Sequence, residues 1–167
     1  VEFLKNINTG KVNIIGTSGG ALVGINCALL SPERINRVIA DSFEGEYALD
    51  IIAETIDNER ENSKSDNNMV RFWKENHGKD WEAVVDMDTK AIIKHYKNVK
   101  NFFPGKLSEL KVPVLLTGSL EDEYAEYISF EENYKKMLEK LPDGKMYLFK
   151  KGGHPAFITA GNEFFQT

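Results

Sequence analysis

The stretch Val12-Asn13-Ile14-Ile15-Gly16-Thr17-Ser18-Gly19-Gly20 passes straight into Ala21-Leu22-Val23-Gly24-Ile25-Asn26-Cys27-Ala28-Leu29-Leu30, and no other segment restricts the fold so strongly. It predicts an apolar strand, a glycine-cornered turn with a serine at its tip, and an apolar helix. That is the setting in which a G-x-S-x-G sequence forms a nucleophile elbow. So sharp a turn holds Ser18 in strained backbone geometry and drives side chains two positions to either side toward each other. Gly16 and Gly20 are expected to remove those collisions. The Ser18 hydroxyl would then stand clear of the strand, with the N–H groups that open the helix directed at whatever it attacks.

Size and charge limit the alternatives. A chain of 167 residues can bury one core. No apolar run is long enough to cross a bilayer, so no membrane role is expected. The net charge of -5, with Lys and Arg dispersed among acids, argues against nucleic acid as a partner. Cys27 is the single cysteine and falls in the apolar helix, where it is expected to fill core space. Disulfides do not staple such a domain, and the expected setting is cytoplasmic.

Four segments read as strands: Val12 to Ile15, Val38 to Ala40, Val112 to Thr117 and Met146 to Lys150. Helical stretches alternate with them, which favours a parallel α/β sheet. Pro113 must lie at the start of its strand, since proline cannot donate to an inner ladder. From Phe43 to about Gly105 the strand pattern gives way to charged amphipathic sequence, as in Tyr47 to Arg60 and Ala91 to Val99. This interval is expected to be an all-helical insertion, dividing the chain into 1–42, 43–105 and 106–167. Within it the polar run 59–68 is either a solvated loop or the frayed end of a long helix, and the solvated loop is preferred. Phe72, Trp73 and Trp81 are spaced to cover apolar surface, by packing on the sheet or by shaping a pocket mouth.

An attacking serine needs a base, and the base needs a group to orient it. His154 lies in Gly152-Gly153-His154-Pro155, directly after the last strand. In a parallel sheet that is the end from which Ser18 emerges, so His154 is the candidate base. His77 and His95 lack that placement. The acid should follow another strand at the same end, and Glu121-Asp122-Glu123 follows the strand that ends near Thr117. Asp122 is preferred for its short side chain and for its distance past Gly118, which suits a loop folding back toward His154, with Glu121 next and Glu123 third. No His, Cys or Asp spacing resembles a metal-ligand set, and Asp86-x-Asp88 is a plain acidic pair. The turn 16–20 lacks the lysine of a phosphate-binding loop. No metal and no cofactor are expected.

The order nucleophile, acid, base is that of the α/β hydrolases. Through Gly16-Thr17-Ser18-Gly19-Gly20, Pro113-Val114-Leu115-Leu116-Thr117-Gly118 with Asp122, and Gly152-Gly153-His154-Pro155, the chain resembles the C-terminal part of an α/β-hydrolase-fold serine hydrolase of the esterase or acyl-hydrolase kind. The resemblance implies a partial α/β-hydrolase fold: a parallel sheet of about four strands, a helical cap at 43–105, and the family's N-terminal strands missing. It implies a triad of Ser18, Asp122 and His154, an oxyanion donor at the Gly19 N–H, and a small acyl or ester substrate. Only Val1 to Lys11 precede the elbow strand, where the family carries further strands and a second oxyanion donor. Two explanations are open. The chain is a fragment of a longer enzyme, which is favoured, or another polypeptide supplies the missing half. In either case the strand from Val12 to Ile15 would be an open edge for self-association or complementation, and the isolated chain is expected to be a poor catalyst, to self-associate through that edge, or both. A reading from another class is a non-catalytic α/β-hydrolase-like module for binding or assembly.

Overall fold

A computed structural model describes residues 2–6, 10–103 and 105–166. In chain order the elements are α1 (Glu2–Asn6), β1 (Val12–Thr17), α2 (Gly19–Leu30), β2 (Ile35–Asp41), α3 (Asp50–Ser63), α4 (Asn67–His77), α5 (Trp81–Asn98), β3 (Val114–Ser119), α6 (Phe130–Leu138), β4 (Gly144–Phe149) and α7 (Ala156–Thr159), with short 3-10 turns at Gly78–Asp80, Leu107–Glu109 and Gly161–Gln166. They divide into two compact units, Val1–Glu46 with Phe102–Thr167, and Tyr47–Asn101.

The first unit is built on one sheet of order β1-β2-β3-β4 in which every pair is parallel. β-Branched and leucine residues suit the two inner strands, of which one face is fully covered and the other in part, Ile39 and Leu115 being half-buried. Val38, Ala40, Val114 and Leu116 are accordingly buried. β3 begins after Pro113, whose carbonyl accepts the Val38 N–H at 3.0 Å, so the proline bonds through its acceptor alone. β1 lies at an edge, and Ile15 is half exposed there. α2 is apolar nearly all round. Ala21, Ile25 and Ala28 are buried, while Val23 and Leu30 remain largely exposed.

Tyr134 of α6 is fully buried and its ring stacks on Phe43 at 5.1 Å. Its hydroxyl accepts the Phe43 N–H at 3.0 Å and lies 3.2 Å from the Thr117 carbonyl, which satisfies a polar group that burial would otherwise penalise. A second cluster joins Phe149 at the end of β4 to Ala156 of α7 and to Phe164, with Ile39 and Phe157 packed against it. The chain after β4 is thereby tied back to the sheet.

The second unit is helical apart from an antiparallel bridge between Tyr47 and Asn101. Trp73 and Trp81 stack on each other at 5.6 Å. The polar run 59–68 differs from the solvated loop expected of it: α3 continues to Ser63, and α4 begins at Asn67. Ion pairs to α5 account for the difference, because Arg60 meets Asp88 at 2.6 Å and Lys64 meets Asp86 at 2.8 Å. The Asp66 carboxylate then caps α4 by accepting the Asn68 N–H at 2.8 Å. Among the described residues no helix is long and apolar enough to cross a membrane.

Candidate active site

Register aligns the carboxyl ends of all four strands. Thr17 pairs with Asp41, Asp41 with Thr117, and Thr117 with Tyr147. Loops leaving that row carry Ser18 one residue beyond Thr17, Asp122 five beyond Thr117, and His154 seven beyond Tyr147.

Ser18 has φ 52° and ψ -127°, a conformation that costs a non-glycine residue about 1–3 kcal/mol. Two hydrogen bonds hold it there. Its N–H donates to the Asp41 carbonyl at 2.8 Å, and its carbonyl accepts the Ala21 N–H at 2.9 Å. The residue is exposed, and its hydroxyl makes no capping bond to α2. Gly19 follows as the first residue of α2, where the opening N–H groups have no acceptor within the helix. The two corner glycines are not equivalent. A Cβ on Gly16 would stand 2.2 Å from the Gly20 carbonyl oxygen and 2.8 Å from the Ala21 nitrogen. A Cβ on Gly20 would meet nothing within 4 Å. The expectation that both remove a collision therefore changes: the close approach is at Gly16, and Gly20 lies on the exposed side of the first helical turn.

Asp122 is buried beyond the end of β3. Its Oδ1 accepts the Tyr124 N–H at 2.9 Å, and its Oδ2 lies 2.8 Å from His154 Nδ1. The other two acids are placed differently. Glu123 accepts the backbone N–H of His154, and Glu121 is exposed. The Ser119 hydroxyl donates to the Gly152 carbonyl, fastening the acid loop to the histidine loop. A glycine is needed where the loops meet at Gly152, which has φ 117°, while a Cβ on Gly153 would stand 2.7 Å from Glu123 Oε1 and displace that carboxylate. The Tyr124 ring meets the imidazole edge-on at 5.1 Å. Asp122 and His154 are thus brought together, while Ser18 emerges from the same row of strand ends.

Asp41 and Ser42, at the end of β2, did not stand out in the sequence, although an acid closing the apolar run Val38-Ile39-Ala40 was a signal. Both are buried. Asp41 accepts the Thr117 hydroxyl at 2.8 Å and the Phe157 N–H at 2.9 Å, and the Ser42 hydroxyl oxygen accepts the Ala156 N–H at 2.9 Å. Burial pushes the Asp41 carboxyl above the usual carboxylate range, opposed by its hydrogen bonds from the Phe157 N–H and the Thr117 hydroxyl. His77 and His95 lie on α4 and α5 in the helical unit, and Asp86 and Asp88 are engaged by Lys64 and Arg60. Among the described residues no group of three His, Cys, Asp or Glu could hold a metal ion.

No protein-family model and no curated protein matches the sequence. Solved structures do match the fold. A serine hydrolase involved in carbazole degradation, the CarC enzyme, superimposes with a TM-score of 0.69 at 22% identity over 99% of this chain and 65% of its own. The fold is that of the α/β hydrolases. The enol-lactonase from Burkholderia xenovorans LB400 gives a TM-score of 0.63 at 14% identity, over 98% of this chain and 66% of that one. An esterase from Exiguobacterium antarcticum gives 0.65 at 16%, over 99% and 68%. The α/β-hydrolase fold of this chain therefore spans about two thirds of the length of the chains it matches, on a four-stranded parallel sheet.

Proposed function

We propose that the chain carries the nucleophile, base and acid of a serine hydrolase that cleaves an ester or related acyl bond. His154 Nε2 takes the proton as Ser18 Oγ attacks the acyl carbon. Asp122 Oδ2 accepts from Nδ1–H, fixing the tautomer and stabilising the imidazolium that forms. The Gly19 N–H donates to the oxyanion. His154 then protonates the departing alkoxide. Water, deprotonated by His154 in turn, hydrolyses the ester on Ser18 and restores the hydroxyl. The observation that carries this reading is the 2.8 Å contact between His154 Nδ1 and Asp122 Oδ2 at the sheet edge where an exposed Ser18 is held at positive φ. The matched structures, which are named as a serine hydrolase, an enol-lactonase and an esterase, lend support.

The open edge of β1 would pair with a further strand, from elsewhere in a longer chain, from a second copy or from another polypeptide. The deciding experiment is labelling with a fluorophosphonate probe. Labelling of the chain that disappears in Ser18→Ala is the expected result. Equal labelling of both would put the reactive residue elsewhere, and absence from both would favour a non-catalytic binding or assembly module.

A further inference from the structure

Asp41 is bonded to both halves of the site. Its backbone carbonyl accepts the Ser18 N–H at 2.8 Å, which supports the turn that holds the serine. Its carboxylate accepts the Phe157 N–H at 2.9 Å, three residues beyond His154, and the Thr117 hydroxyl at 2.8 Å on the neighbouring strand. Ser42 completes the connection. At φ 51° it directs its hydroxyl to the Ala156 N–H at 2.9 Å, while its own N–H donates to the Thr117 carbonyl at 2.8 Å. The first two N–H groups of α7 thus receive their acceptors from the end of β2 instead of from a residue of their own turn. Pro155, which has no N–H, is the one residue between His154 and this clip.

The arrangement is costly unless it holds something. A fully buried carboxylate is unfavourable, and here its compensation comes from hydrogen bonds to the histidine loop and to β3. We infer that Asp41 is a positioning residue: by clipping the Phe157 N–H it fixes the backbone beyond His154, so that the imidazole stays on Asp122 and in register with the strand end that carries Ser18. This assignment rests on the reading of His154 as the base. Asp122 faces the ring from the loop after β3 and Glu123 bonds the backbone of His154, so the ring plane and the loop's near end are held from β3. The far end of the loop is held from β2 by Asp41 and Ser42.

Two substitutions separate the clip from the charge. Asp41→Asn keeps an acceptor for the Phe157 N–H and turns its amide toward the Thr117 oxygen, whereas Asp41→Ala removes both bonds. The expected result in the full chain is that Asp41→Asn labels Ser18 within about threefold of wild type, while Asp41→Ala labels about 10–100-fold more slowly with an unchanged far-ultraviolet spectrum. The low-field His154 Nδ1–H proton resonance should persist in the Asn variant and broaden in the Ala variant. Ser42→Ala, which removes one of the two clip bonds, covers the case in which Asp41→Ala does not fold, and several-fold slower labelling is expected of it. Wild-type labelling rates in Asp41→Ala or Ser42→Ala would overturn the inference, as would an Asn variant as slow as the Ala variant. If wild-type Ser18 takes no label, the hydrolase reading fails by itself. The clip is then judged by the Nδ1–H resonance and by the amide exchange of Ala156 and Phe157, which should accelerate in Asp41→Ala and not in Asp41→Asn; unchanged exchange in both would overturn it.

Discussion

Gly16→Ala tests the elbow at its tightest point. The added methyl carbon would lie 2.2 Å from the Gly20 carbonyl oxygen and 2.5 Å from its carbon, against the 3.4 Å at which ordinary contact begins. A displacement of about 1.2 Å is needed, and the atoms in the way are backbone, so no rotamer change can supply it. The start of α2 would have to move off the sheet, although Ala21 and Ile25 behind it are fully buried. An overpacked core of this kind costs typically 1–3 kcal/mol, and the backbone obstruction places the expected loss at about 3 kcal/mol or more. With a urea slope of about 2 kcal/mol/M, the unfolding midpoint should fall by about 1.5 M at unchanged slope. Gly20→Ala is the internal control. Its methyl meets nothing within 4 Å, and alanine in a first helical turn should be neutral or stabilise by about 0.5 kcal/mol. Equal midpoint shifts in the two variants, or a wild-type midpoint for Gly16→Ala, would refute the steric account of the turn.

Three further outcomes are expected. Asp122→Asn should retain the fold and lower the rate of Ser18 labelling by roughly 10³–10⁴, because an amide favours the wrong imidazole tautomer; a rate within tenfold of wild type would remove Asp122 from the triad. Because burial raises the Asp41 carboxyl, the folded state holds that proton more tightly than the unfolded chain does. Its contribution to stability is therefore full below the ordinary carboxylate value of about 4 and is lost as pH rises through the raised value. Denaturation midpoints measured from pH 4 upward should consequently fall less steeply in Asp41→Asn than in wild type, and parallel profiles would show that the residue has no such linkage. Ile15, half exposed on the edge strand β1, should promote strand pairing between copies, so Ile15→Lys should lower the self-association seen by sedimentation velocity. A wild-type chain that stays monomeric at high concentration would contradict this.

What could be read from the sequence was whatever depends on short range. The β-branched run before Gly16, the small residues after it, and the glycines before His154 each dictate their own neighbourhood, so three of the loops at the sheet's carboxyl edge were legible in position. The choice among Glu121, Asp122 and Glu123 rested on side-chain length and on distance past Gly118. In the fold the three diverge because Ser119 and Tyr124 pin the loop on either side, which leaves Asp122 on the imidazole and Glu123 on the backbone. The polar run 59–68 misled for the opposite reason. Its residues have weak helical pattern by themselves, and the helix is stabilised by Asp86 and Asp88, more than twenty residues away.

Asp41 shows the same distinction within the site. In sequence it is an acid ending an apolar strand, which could equally mark a solvated turn, and its partners are 76 and 116 residues distant. Only the register that aligns Thr17, Asp41 and Thr117 brings its carbonyl under Ser18 and its carboxylate under the histidine loop. β2 lies between β1 and β3, so its end is within hydrogen-bond reach of both the Ser18 turn and the end of β3. Residues that perform the reaction are constrained by type and announce themselves in motifs. Those that set the distance between them are constrained by topology, and their identity becomes readable once the order of strands is known.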